Sequence, residues 1–257
     1  MKNPNPHRPA IFALVLFFML SWTPAPFAAR NTDVSASAPA KAHRDAAISE
    51  KIKRQSAIQK EALELYQALL LHRSGLNKQA FITAWTGYQH LKDEGKLSNT
   101  EVLTICDYSQ SSRKKRLYIL DVAHRKLLLH TYVAHGRNSG REYATDFSNK
   151  PSSYKSSLGF FVTGNIYRGE HGPALSIDGL DKGFNDRASD RRIVIHGADY
   201  VGAGYLRSNS ILGRSLGCPA VPRKETSRII QKISDGSCFF IYHPSANYMR
   251  MSTVLNG

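Results

Sequence analysis

Acidic residues are in short supply. The chain of 257 residues has 20 Asp+Glu against 35 Lys+Arg, a formal excess of +15. Cysteine is rarer still, with three in all: Cys106, Cys218 and Cys238. So few exclude a disulfide framework, and no C-x-x-C or H-x-x-x-H spacing marks a zinc site. His135, His171, His196 and Cys218 have the donor atoms for zinc but no compact spacing, so no metal is expected. Helix-turn-helix, zinc-finger and RNA-binding signatures are missing as well. Nucleic acid is therefore not the expected partner, although the charge favours anionic polymers or simply keeps the protein in solution. Internal repeats and low-complexity tracts are also absent. Beyond Ile11–Trp22 no apolar run approaches the roughly 20 residues that cross a bilayer.

The first 29 residues have a basic start (Lys2, His7, Arg8), the apolar run Ile11–Trp22 and then small residues and prolines. This is the layout of a secretory signal peptide, with an uncleaved anchor as the alternative. Residues 1–29 are therefore assigned as a signal. An exported chain, periplasmic or in the cell envelope, is expected, with no stable membrane insertion after cleavage. Residues 30–45, rich in Ala and Ser, read as a linker. Residues 46–98 read as a helical hairpin. Ile48, Ile52, Leu63, Tyr66 and Leu70 recur at helical spacing, Ser74-Gly75 breaks the run, and Asn77 caps a second helix with Phe81, Ala84, Trp85, Tyr88 and Leu91 on one face. From residue 99 to 248 short runs take over: VLTICDYS, RLYILDV, KLLLHTYVAH, GFFVTGN, ALSID, RIVIHG and SCFFIYH. They predict strands, with one late helix at 225–233. The fold class is α+β: a β-rich sandwich or open barrel with short helices, preceded by the hairpin. Two polar intervals, 136–157 and 197–214, are too long for simple turns and are candidates for function.

An odd cysteine count in an oxidising compartment suggests a free thiol with a purpose. Cys106 and Cys238 lie in apolar strand runs and read as reduced core residues, with a disulfide between them as the alternative, whereas Cys218 sits among Gly, Ser and Pro. His196 ends an apolar strand and precedes Gly197. The pairing has a chemical logic. A thiolate is the nucleophile, an imidazole can take the thiol proton, and the same imidazole can return it to a leaving amine. Gly217 allows a tight turn and close approach, and the N–H groups of Gly217 and Cys218 are candidate oxyanion donors. Either residue alone is more often packing or a satisfied polar group.

His196-Gly197 followed by Ser215-Leu216-Gly217-Cys218 resembles the signature of the L,D-transpeptidase catalytic domain, the YkuD-like superfamily. The stretch Leu212-Gly213-Arg214-Ser215-Leu216-Gly217-Cys218-Pro219-Ala220-Val221 is most similar to its second branch. The likeness continues through Val133–Gly136, Phe147–Asn149, Ser156–Gly159 and Tyr167–Gly172, and so spans about 76 to 243. Leu216 stands where the best-studied members carry histidine, and Pro219-Ala220 where they carry Arg or Asn.

The resemblance implies acyl transfer on peptidoglycan stem peptides, with Cys218 as nucleophile, His196 as base and acid, and the Gly197 carbonyl orienting the imidazole. Ser215, Leu216 and Gly217 would shape the nucleophile loop. His171 and Tyr167 would line the donor groove. Arg192 and Arg214 are candidates for stem carboxylates. No cofactor is implied, and carbapenems are candidate inhibitors. Two alternatives stand beside this reading: a hydrolase that uses water as acceptor, and a non-catalytic wall-binding module.

Overall fold

The computed structural model describes residues 38–170 and 172–257. The signal-peptide assignment, the first half of the proposed linker and His171 lie outside them. Two units are distinguished, 1–46 and 47–257. In the first, only the opening turns of helix α1 (Ala38–Ala68) are described, so helix begins inside the segment read as linker.

Within residues 47–257, α1 gives way to a turn of 3-10 helix at Leu71–Ser74, and α2 (Lys78–Asp93) follows. The Asn77 side chain accepts from the N–H groups of Gln79 and Ala80 and so satisfies two otherwise orphaned donors of α2. The apolar face expected for α1 is corrected. Of the expected residues Tyr66 is buried, but Ile48, Ile52, Leu63 and Leu70 are exposed, and the other buried positions are Ile58, Ala62 and Leu65. Spacing alone cannot register a long helix against a partner that buries only its C-terminal half.

The strands are β1 (Val102–Asp107), β2 (Leu117–Asp121), β3 (Lys126–Thr131), β4 (Gly159–Gly169), β5 (Gly172–Gly179), β6 (Val194–Ala198), β7 (Ala220–Pro222) and β8 (Cys238–Tyr242). They form one mixed sheet in the order β3-β2-β1-β8-β4-β5-β6-β7. Just past β3, Ala134 exchanges both backbone hydrogen bonds with Ala220 of β7, at 2.8 and 3.3 Å. The two edges of the sheet thus meet, and the barrel is nearly closed, which removes exposed edges. Phe160 and Phe240 stack at 4.1 Å in its core. Cys106 and Cys238 are free and fully buried, as expected for core residues. Helices α3 (Ala203–Ser208), α4 (Thr226–Ile233), α5 (Ala246–Met251) and α6 (Thr253–Asn256) complete the unit. Among the described residues no helix is long and apolar enough to cross a membrane.

Asp181 ties the C-terminal helices to the sheet. Fully buried, its carboxylate accepts from Phe160 N–H (2.9 Å), Tyr248 O–H (2.8 Å), Val254 N–H (3.2 Å) and the Ser252 hydroxyl. The folded unit therefore continues past residue 248, where the sequence reading ended it. Asp181→Ala would orphan these buried donors, each worth about 1–3 kcal/mol when left unpaired. We expect the variant to lose at least about 3 kcal/mol of stability, read as a lowered denaturation midpoint with an unchanged slope.

Candidate active site

The loop that carries Cys218 is held by its own serine and by the first of the two long polar intervals. Ser215 Oγ accepts from Gly217 N–H (3.1 Å) and donates to the Cys218 carbonyl (2.6 Å). The Ser215 N–H bonds to the His135 carbonyl (3.0 Å), and its own carbonyl accepts from Arg137 N–H (2.8 Å). Ser156 Oγ donates to the Gly217 carbonyl and accepts from Gly136 N–H, each at 3.0 Å. Gly217 has φ +130°, and a Cβ there would stand 2.9 Å from the Lys155 carbonyl oxygen. A side chain at 217 is therefore excluded both by strain and by contact with backbone. The Gly217 N–H is already engaged by Ser215, which leaves the Cys218 N–H as the better oxyanion donor of the two expected.

One cavity brings the two candidate reactive residues together. β6 and β7 run parallel, with His196 opposite Ala220. Cys218 lies in the bend two residues before Ala220 and so close to the start of the paired segment. Cys218 and His196 both line one cavity of ≈ 540 Å³. Val194, two residues before His196, donates its N–H to Cys218 Sγ at 3.5 Å, and the thiol lies 3.8 Å from the Arg192 carbonyl. His196 Nδ1 is 3.2 Å from the Gly197 carbonyl. With the proton on Nδ1, that contact is a hydrogen bond and Nε2 carries the lone pair. Gly197 itself has no room for a side chain, because a Cβ would meet Thr226 Oγ1 at 2.2 Å.

Burial pushes the Cys218 thiol above its ordinary value, while the Val194 N–H, the Arg191 charge and the residue's own N–H pull it back. A thiol so placed stays largely protonated at neutral pH and needs a base to become a nucleophile. The arrangement suits proton transfer to an imidazole followed by attack on a carbonyl.

The remaining predicted residues separate into groups. Tyr167, Arg192, Arg214, Leu216 and Ser215 also line the cavity, with Leu216 58% exposed at its rim. The Arg214 guanidinium, however, donates to the carbonyls of Arg137 and Gly140, each at 3.1 Å, and so also secures the neighbouring loop. His135 is fully buried away from the cavity. Its Nδ1 accepts from Arg116 at 2.8 Å, and its Nε2 is 3.3 Å from the Gly140 carbonyl. Arg191, Tyr200 and Glu170 line the cavity without having been anticipated. Nothing in the run Asp190-Arg191-Arg192 tells which arginine turns inward. Arg192 adopts φ 53° and projects to solvent, while Arg191 is drawn in. Among the described residues no group of three or more His, Cys, Asp or Glu side chains is placed to hold a metal ion.

Residues 72–242 match the family described as the L,D-transpeptidase catalytic domain. Among solved structures the chain is similar to an L,D-transpeptidase from Mycobacterium smegmatis (13% identity, TM-score 0.34, 56% of this chain and 59% of that one). It is also similar to the LD transpeptidase LdtMt1 in complex with imipenem (10% identity, TM-score 0.34, 55% and 59%). A third is an L,D-transpeptidase from Xylanimonas cellulosilytica (15% identity, TM-score 0.32, 60% and 68%). The chain thus spans less than two thirds of the length of the first two. Among curated proteins no sequence matches it.

Burial, helped by the adjacent Arg116 charge, lowers His135 to about 3 from 6.5. Between those values the unfolded chain binds a proton that the folded chain refuses, so stability falls as pH drops from about 6.5 towards 3. The limiting slope is about 1.4 kcal/mol per pH unit. His135→Gln should flatten this acid arm relative to the parent protein in denaturant titrations across that range.

Proposed function

The chain belongs to the L,D-transpeptidase catalytic-domain family, and from that premise we propose that it is an exported cell-wall enzyme that forms a thioester between Cys218 and a peptidoglycan stem peptide. The observation that carries this reading is that Cys218 and His196 line one cavity, with Cys218 Sγ against the N–H of Val194, two residues before His196. His196 Nε2 takes the Cys218 proton, and the sulfur attacks the carbonyl of an L-centre next to a terminal D-amino acid. The tetrahedral oxyanion is met by backbone N–H, with that of Cys218 the nearest candidate. As the intermediate collapses, the C–N bond breaks and His196 returns the proton to the departing amine. An amine from another stem then displaces the thiol and forms the crosslink, or a free D-amino acid does so and exchanges the terminal residue. A carbapenem presents a strained lactam carbonyl to the same sulfur and should acylate it.

Purified protein given tetrapeptide muropeptides and labelled D-methionine should exchange the terminal residue. Cys218→Ala should abolish exchange and the carbapenem mass adduct together. His196→Ala should slow turnover by about a hundredfold or more while leaving the thiol in place. Trimmed stems with neither label nor dimers would point to water as the acceptor. Sacculus binding untouched by Cys218→Ala, with no acylation of the parent protein, would defeat the enzymatic reading.

A further inference from the structure

We propose that Arg191 is a positioning residue of this site. Its guanidinium, locked to the 148–157 loop, holds a fixed positive charge beside Cys218 and so favours the ionised sulfur. This inference deepens the reading of Cys218 as nucleophile and rests on it.

Arg191 lines the same cavity as Cys218. Its Nη1 donates to the carbonyl of Ser148 (2.6 Å) and to Ser157 Oγ, and its Nη2 to the carbonyl of Lys155 (2.6 Å) and to Ser153 Oγ (3.3 Å). All four partners are neutral, so hydrogen bonding satisfies the group without cancelling its charge. With both Nη atoms so engaged, it is poorly placed to grip a substrate carboxylate in bidentate fashion. Its work is directed inward instead. A Cβ on Gly217 would stand 3.3 Å from Arg191 Nη2, which places the guanidinium against the backbone of the nucleophile's own neighbour. The strand that follows Arg191 supplies the Arg192 carbonyl and the Val194 N–H to the sulfur.

The other charged and titratable groups facing the cavity are Tyr167, Glu170, Arg192, His196, Tyr200 and Arg214. Arg192 and Arg214 are exposed, and their fields are weakened by water. Arg191 is half-buried, and the favourable influence runs both ways. Its charge lowers the Cys218 thiol, and the sulfur in turn opposes the loss of charge that burial imposes on Arg191. A charge pinned by backbone carbonyls costs no reorganisation when the thiolate forms.

The test follows the rate of Cys218 alkylation by iodoacetamide against pH, with the modified residue located by mass spectrometry. Cys106 and Cys238 are fully buried and give no competing signal in the folded protein. Arg191→Gln should move the midpoint about one pH unit alkaline, and slow alkylation near neutrality about tenfold. Arg191→Lys, which keeps the charge, should stay near the parent midpoint. The double variant Ser153→Ala/Ser157→Ala, which loosens the clamp but keeps the charge, should also leave it in place.

A folded Arg191→Gln protein with an unmoved midpoint would overturn the proposal. So would an equal shift in the serine double variant, which would assign the effect to the clamp. Should the Gln variant fail to fold, Arg191→Lys decides: a parent-like midpoint supports the charge, and an alkaline shift refutes it. Alkylation reads the thiol alone. If it behaves as expected but no stem peptide or carbapenem acylates Cys218, the proposed function fails and the role of Arg191 stands.

Discussion

The site depends on a strand of three residues. β7, Ala220–Pro222, is too short to be stable by itself, yet its parallel pairing with β6 sets the register of the reactive pair. A slip of one residue would shift the bend that carries Cys218 relative to His196. Register is pinned from both sides. β6 holds one edge of β7, and Ala134 holds the other through two backbone hydrogen bonds. The pairing that closes the barrel therefore also anchors the segment that follows Cys218 beside the strand of His196. The hydrophobic core fixes the walls of the barrel, and the last pairing across its seam fixes the chemistry.

Behind that seam lies a buried cation with no carboxylate bonded to it. Arg116 is fully buried and donates to the carbonyls of Val133 (3.1 and 3.0 Å) and Gln110 (2.8 Å) and to His135 Nδ1. Its carbon lies 4.8 Å from the Tyr108 ring centroid. Removing a charge from water is costly unless hydrogen bonds replace the lost solvation, and three carbonyl bonds and an imidazole nitrogen do so here. The consequence is rigidity in the segment between β3 and the first polar interval. That segment carries Ala134, which closes the barrel, and the His135 carbonyl, which holds Ser215. The cation therefore reaches the nucleophile through backbone hydrogen bonds, whereas Arg191 stands beside it.

Most of the fold could be read from the sequence because its elements are specified locally. Asn77 before an amphipathic run gave the start of α2, and alternating or continuous β-branched and aromatic runs gave every strand but one. The exception is β7, whose Ala-Val-Pro has no run length and a terminal proline; only its neighbours make it a strand. The apolar face of α1 was misread because Ile48 and Ile52 repeat at helical spacing yet meet nothing that buries them. The thiol and the histidine were legible through residue type, glycine context and family likeness. Arg191 was not, since its inward turn depends on the positive φ of Arg192 and on acceptors spread over 148–157. Long-range contacts of that kind leave no local mark in the chain.

The three cysteines show how position sorts one functional group into two roles. Cys106 and Cys238 lie wholly inside the sheet, where burial pushes both thiols up, Cys106 to about 12. Closed off from solvent, they pack within the core. Burial also raises Cys218, but the opposing influences of the Val194 N–H, Arg191 and its own N–H act only there. A thiol kept protonated at rest is less open to oxidation than a standing thiolate, because reactivity follows the ionised fraction. An imidazole sharing the cavity can remove the proton as the carbonyl is attacked, so the nucleophile need be exposed only during reaction. Under the proposed export to an oxidising compartment, partial burial of the sulfur would therefore protect the proposed nucleophile.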